Sequence, residues 1–281
     1  MGYRLEELTW LQAEDALRET KMVIIPTGSI EQHGPHLPLG TDYFIAREIA
    51  NRVGEISPVV VVPAIPIGFA DYHADFPGTL SVSQETLGRL YREICSYLVK
   101  YGVTHILFIN GHGGNLEAIK TVMSSLRDQD VLAAEISWYL MSGILDRRWT
   151  LIGHGDFVET SLVLAINDGI VDLSKAKTPI RKNLSDNLIL FDNDECRFRN
   201  TPIHVSLRTK DYTDTGDMIE YGHSPDVDHS VPPTEATAEM GKEIIEALTQ
   251  HIAEFITEFK SVALPSRDSL YHRGKEVTKG R

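Results

Sequence analysis

Short apolar runs that lack polar alternation recur along the first half of the chain, and longer amphipathic stretches separate them. MVIIP (22–26), VVVVP (59–63), HILFIN (105–110) and VLAAEIS (131–137) are four such runs. Successive side chains of a strand point to opposite faces, so a strand that is apolar at every position must be covered on both sides. The stretches between the runs have helical spacing. Phe44, Ile45, Ile49 and Ala50 share one face of a helix expected from Thr41 or Asp42, either of which can cap it, to about residue 53. Ser83 is the expected cap of a helix over 84–100, with Leu87, Leu90, Ile94 and Leu98 on its buried side and Gly102 as its stop. Further helices are expected from about Asn115 to Arg127, over 154–168 with Val158, Leu162, Val163 and Ile166 apolar, and from about Thr234 to Phe259. Strands that alternate with helices in this way predict an α/β fold with a mainly parallel central sheet.

Composition excludes several classes. The 281 residues are 42% hydrophobic and 24% charged, a globular balance. Forty acids against 27 bases give a formal charge of −13, which argues against nucleic acid as the main partner. Cys95 and Cys196 form no CxxC pair, so a disulfide scaffold is not expected and the usage fits a reducing compartment. The most apolar stretch, SPVVVVPAIPIGFA (57–70), is broken by three prolines, and MGYRLEELTW has no signal-peptide pattern. The expectation is a soluble cytoplasmic protein with no membrane partner. Residues 177–233 differ from the rest, with KNLSDN, FDNDECRFRN and KDYTDTGD, and suggest an insertion, a lid or an oligomer contact.

Ligand sites in parallel sheets lie at the carboxyl ends of the strands, and there the chain is rich in Gly and His. After the first run, GSIEQHGPHLPLGTD (28–42) carries Glu31, His33, His36 and Asp42. Their oxygen and imidazole donors suit Zn²⁺, Mn²⁺ or Fe²⁺. Glu31 and His33 are two apart, so an extended backbone points both to one side, and a carboxylate at Asp42 can bridge two ions. After the third run, NGHGGN (110–115) offers His112 between glycines. A rival reading of that loop is a phosphate cradle in a nucleotide-binding protein, but it lacks the Lys and Ser/Thr of a P-loop. In GHGDFVETS (153–161), Glu159 is expected one turn or more into a helix and His154 at its mouth, where an imidazole can shuttle protons; Asp156 reads as the helix cap. Glu31, His33, Asp42, His112 and Glu159 together have the number and type of donors that a two-metal hydrolase needs. Trp138 is a candidate pocket wall or a core residue, and His73, Tyr221 and His223 are candidates to reach the site.

The sequence resembles the creatininase (creatinine amidohydrolase) family. The likeness rests on GSIEQHGPHLPLGTD (28–42), HADFPGT (73–79), NGHGGN (110–115), GHGDFVETS (153–161) and ATAEMG (236–241). It implies a single three-layer α/β/α domain over 1–281 and a homo-oligomer, often a hexamer. It implies two divalent ions bridged by Asp42, with Glu31 and His112 on one ion and His33 and Glu159 on the other. His154 matches the histidine that assists proton transfer, and His73, Trp138, Gly113 and Gly114 would line the substrate site. Creatinine-cleaving members carry a second carboxylate two residues after the histidine matching His112, where this chain has Gly114. A serine that many members place before the histidine matching His73 is matched here by Ala70. The implied activity is attack of a metal-activated water on the carbonyl of a small cyclic amide or formamide. The alternative within the family is ring-opening C–C hydrolysis of an oxidised inositol, and a further member is a peptidase of mycofactocin maturation.

Overall fold

The computed structural model describes residues 2–150, 154–177, 182–190, 195–213 and 231–266. Its centre is a five-stranded sheet in the order β1-β3-β2-β4-β5. The strands are β1 (Tyr3–Arg4), β2 (Met22–Thr27), β3 (Val60–Val61), β4 (His105–Asn110) and β5 (Leu132–Ser137). Every pairing in this sheet is parallel. The helices between them are α1 (Trp10–Thr20), α2 (Thr41–Ile56), α3 (Gln84–Lys100) and α4 (Leu116–Arg127). After β5 come α5 (Trp138–Leu145) and α6 (Phe157–Asn167), and α8 (Ala238–Ser261) follows later in the chain.

The apolar strands divide their side chains between two cores. Met22, Ile24, Leu107 and Ile109 point to the face covered by α2, α6 and α8. Val23, Ile25, Ile106 and Phe108 point to the face covered by α1, α3 and α4. The result is the three-layer α/β/α arrangement, and it follows from the period of two in strands that are buried throughout in β2 and from Ile106 onward in β4. No helix among the described residues is long and apolar enough to cross a membrane.

The differences from the expected elements are local. Of VVVVP only Val60–Val61 meets the strand definition. Gly40, not Thr41 or Asp42, is the N-cap of α2; Thr41 is its first helical residue and donates its hydroxyl to the Pro38 carbonyl at 2.8 Å. On α3 the buried face is Leu87, Gly88, Tyr91, Cys95 and Leu98, and Leu90 is 41% exposed. The terminal helix starts at Ala238, because Pro232 and Pro233 open a short 3₁₀ turn before it. The periodicity reading also passed over α1 and α5.

The segment between α6 and α8 forms a separate three-stranded antiparallel sheet of β6 (Ile189–Leu190), β7 (Glu195–Phe198) and β8 (Thr201–His204). It is followed by the single turn α7 (Thr209–Tyr212). Arg208 ties this turn to the main body through Asp75, at 3.2 Å, and Asp71, at 3.5 Å.

Candidate metal centre

The carboxyl ends of three strands set the site. Thr27, Asn110 and Ser137 stand in register as the last residues of β2, β4 and β5. Thr27 donates to Asn110 Oδ1 at 3.3 Å, and the same oxygen accepts the His112 backbone N–H at 3.1 Å. The loop after β4 is thereby turned towards the loop after β2. Gly111 permits this: a Cβ there would lie 2.5 Å from the Asp42 carbonyl oxygen, so only glycine lets the first turn of α2 settle against the end of β4.

Two carboxylates enter from helix starts, where the helix dipole favours negative charge. Asp42 is the second residue of α2, and Glu159 is the third residue of α6. Asp156 caps α6, accepting the N–H groups of Val158 at 2.8 Å and Glu159 at 3.0 Å, as its position in the sequence predicts. Glu159 therefore sits in the first turn rather than deeper in the helix. Its Oε2 accepts the Gly155 N–H at 2.6 Å.

Glu31, His33, Asp42, His112 and Glu159 converge and are all buried. Glu31, Asp42 and His112 form one group of donors with mutual separations within 4.8 Å; His33, His154 and Glu159 form a second, and Glu31, His73 and His154 a third. His112 Nδ1 lies 3.2 Å from Glu31 Oε2 and 3.1 Å from Asp42 Oδ2. Apart from the His112 ring neither oxygen has a hydrogen-bond partner, although both are buried. Ligands held at roughly 2.0–2.2 Å from one divalent ion lie about 3.0–3.5 Å from each other. An imidazole nitrogen at that separation from two buried carboxylate oxygens with no other partner fits a cation. Asp42 turns its other oxygen, Oδ1, to His33 Nε2 at 2.9 Å, and His33 Nε2 is 3.9 Å from Glu159 Oε2. One carboxylate thus serves both groups, with an oxygen for each. Both clusters have the mixed imidazole and carboxylate composition that takes Zn²⁺ or Mn²⁺.

Without an ion the charges balance through protons. Burial opposes the charged form of His33, but Asp42, Glu159 and Glu31 outweigh it and push its pKa up to about 10. His112 is likewise raised against the cost of burial, by Glu31 and Asp42. Burial alone would raise Asp42; His33 and His112 hold it below the usual carboxylate range. Burial carries Glu159 up to about 8. Burial, with His33 nearby, keeps His154 well below the ordinary imidazole value.

Main-chain carbonyls orient the imidazoles from behind. His33 Nδ1 is 3.1 Å from the Glu31 carbonyl, and His112 Nε2 is 2.7 Å from the Phe69 carbonyl. His154 Nε2 bonds the Gln32 carbonyl. A carbonyl only accepts, so each outer nitrogen carries a hydrogen, and the inner nitrogen is the one that offers a lone pair to an ion once any proton on it is displaced.

The remaining candidates fall differently. His36 belongs to none of the donor groups; its Nε2 meets Thr160 Oγ1 at 2.9 Å and ties the loop after β2 to α6. Burial, with His33, carries its pKa down to about 4. Trp138 is fully buried in the core under α2, α6 and α8, edge-on to Tyr139. His73 stacks on His154, with ring centroids 4.3 Å apart. A Cβ at Gly113 would come only to 3.7 Å, from the Tyr139 hydroxyl, so this point is open. A Cβ at Gly114 would strike the Phe69 carbonyl oxygen at 2.1 Å. The glycine there is required by the carbonyl that orients His112, and it excludes a second carboxylate. Tyr221 and His223 lie outside the described residues. Four contributors escaped the sequence reading: Gln32, Tyr139, Tyr72, whose hydroxyl is 3.3 Å from His112 Nε2, and Thr209, whose Oγ1 is 2.6 Å from His73 Nδ1. Gln32, Tyr72 and Tyr139 adjoin expected site residues; Thr209 had no positional signal.

A family model described as creatininase, creatinine amidohydrolase, matches residues 6–256. The mycofactocin precursor peptide peptidase of Mycolicibacterium smegmatis is 42% identical over 158 residues, which are 52% of this chain and 58% of that protein. The match therefore spans little more than half the length of that relative. The creatinine amidohydrolase of Pseudomonas putida is 29% identical over 194 residues, 60% of this chain and 74% of that one. A solved mutant creatininase complexed with creatine superposes with a TM-score of 0.70 at 23% identity, covering 92% of this chain and 98% of that chain. At that identity the likeness is one of fold.

Proposed function

The chain belongs to the creatininase family, and from that premise and the buried donor cluster we propose that it is a metal-dependent hydrolase cleaving an amide C–N bond in a small substrate. The observation that carries the reading is the split use of Asp42, one oxygen towards His112 and the other towards His33. Glu31, Asp42 and His112 would hold one ion, and His33, Asp42 and Glu159 the other. When bound, a pair of divalent ions supplies a water of lowered pKa and a positive field at the substrate carbonyl. The chain's own groups do the rest. The His154 Nε2–H is taken by the Gln32 carbonyl, so its Nδ1 lone pair is the proton acceptor inside the site. It takes the proton released as water oxygen bonds to the carbonyl carbon, and returns it to the nitrogen as the C–N bond breaks. Gly113 leaves room for the substrate beside Tyr139. The closure of Gly114 to any side chain argues for an amide other than creatinine.

We take the whole chain as one such unit, cytoplasmic and homo-oligomeric, with the 177–233 segment as its appendage. The test is elemental analysis followed by a panel of short peptides, formamides, creatinine and oxidised inositols. Two metal equivalents per chain and amide turnover are expected. Turnover confined to the oxidised inositols would replace the amide reading with ring-opening C–C hydrolysis. A protein that takes up no metal would end both.

A further inference from the structure

Among the described residues four imidazoles meet at this site, and one is wired in the opposite sense to the others. His33, His112 and His154 each give their outer N–H to a main-chain carbonyl. Among the described residues no carbonyl bonds the outer nitrogen of His73. That nitrogen, Nδ1, is 2.9 Å from Gln32 Nε2 and 2.6 Å from Thr209 Oγ1. The orientation of the Gln32 amide is fixed, because its Oε1 accepts the Gly34 backbone N–H at 3.0 Å. Gln32 therefore presents its NH₂ to His73 and Nδ1 accepts from it; the Thr209 hydroxyl, 2.6 Å from Nδ1 and 3.0 Å from the Tyr72 carbonyl, can turn its hydrogen to either. A neutral imidazole whose Nδ1 accepts carries its hydrogen on Nε2. That nitrogen faces the cluster. It is 3.6 Å from Glu31 Oε1, beyond hydrogen-bond reach, and it makes no hydrogen bond among the described residues.

The geometry points to His73 as a permanent N–H donor aimed into the metal centre for the oxygen of the substrate carbonyl, and as a residue outside the ligand set. The group Glu31, His73 and His154 has ligand-like spacing, yet freeing His73 Nε2 for an ion would move its hydrogen to Nδ1, against the Gln32 NH₂. The centre is then limited to two ions. The donor would stabilise negative charge as it develops on the carbonyl oxygen, a role that usually contributes about 10²–10³ in kcat. Gln32 and Thr209 act through His73 as positioning residues. Thr209 comes from α7, so the appended segment reaches the site by fixing this ring.

This inference rests on the hydrolase reading for the identity of the accepted oxygen, but its wiring can be tested without turnover. The wild-type protein is loaded with ¹¹³Cd²⁺, and long-range ¹H–¹⁵N spectra of the histidine rings are recorded. The expected result is a protonated Nε2 on His73 without cadmium coupling, and coupling to the inner nitrogens of His33 and His112. Cadmium coupling to His73, or a bare Nε2, overturns the proposal. Gln32→Glu supplies a carboxylate that accepts from Nδ1, and it should move the hydrogen from Nε2 to Nδ1. An unchanged tautomer there would show that Gln32 does not set it. With a substrate from the amide panel, His73→Leu should keep two metal equivalents and lose about 100-fold in kcat with little change in KM. His73→Gln, which retains an N–H, should recover part of the loss. Loss of a metal equivalent in either variant counts against the assignment. If no amide is turned over, the amide reading falls while the spectra still decide the wiring.

Discussion

Asp42 gives one oxygen to each half of the cluster, so its removal should be felt twice. Asp42→Ala is expected to lower metal content from two equivalents per chain towards none, by elemental analysis, and to abolish turnover, with the far-ultraviolet circular dichroism unchanged. Full activity in a metal-depleted Asp42→Ala sample would end the two-metal reading. His154→Ala should retain metal and lower kcat; a lost equivalent would make His154 a ligand instead, and its place in two donor groups makes that a fair contest. The donors were legible in the sequence because Glu, His and Asp are rare company in Gly-rich loops after apolar runs. The residues that orient them were not. Gln32, Tyr72, Tyr139 and Thr209 have ordinary chemistry, and what distinguishes them is a neighbour far along the chain. His73 and Thr209 are 136 residues apart. His36 has a ligand's chemistry but stood outside the five expected donors, and its contact with Thr160 spends it on tethering a loop.

At the scale of elements, two helix caps with the same local geometry should behave differently. Asp156 and Ser83 each accept backbone N–H groups at the start of a helix. Asp156→Ala and Ser83→Ala should each cost about 0.5–2 kcal/mol in urea unfolding, with the buried Asp156 at the upper end. Only Asp156→Ala should also weaken metal binding in a calorimetric titration, because α6 carries Glu159 in the turn that Asp156 caps. Equal metal affinity in the two variants would mean that Glu159 is held by its bond from Gly155 alone. The central strands and α3 were readable because burial on both faces, or on one, leaves a strong apolar period. The short α5 was not, since its Leu140 and Ile144 are exposed and blur that period. Gly40 displaced the expected caps of α2 because Thr41 turns back to Pro38 and Asp42 turns to the histidines.

For the molecule as a whole, metal and proton compete for the same seats. His33, with its pKa near 10 in the metal-free protein, is protonated at neutral pH. An incoming ion must expel that proton, so apparent metal affinity should rise with pH between 6 and 8, by roughly tenfold per pH unit for each proton displaced. Calorimetry in buffers of different ionisation enthalpy reads the protons released; a pH-independent affinity would refute the ion-pair assignment of His33. Candidate donors from the loop after β2, from α2, from the loop after β4 and from α6 converge in one cluster. Ions present at about a thousand times their Kd should therefore add roughly 4 kcal/mol to stability, seen as a rise in Tm that a chelator reverses. The hitch between Thr209 and His73 has one more consequence. The appended segment is thereby in series with the reactive edge, so substitutions around Thr209 should alter turnover rate while the central sheet beneath stays as it is.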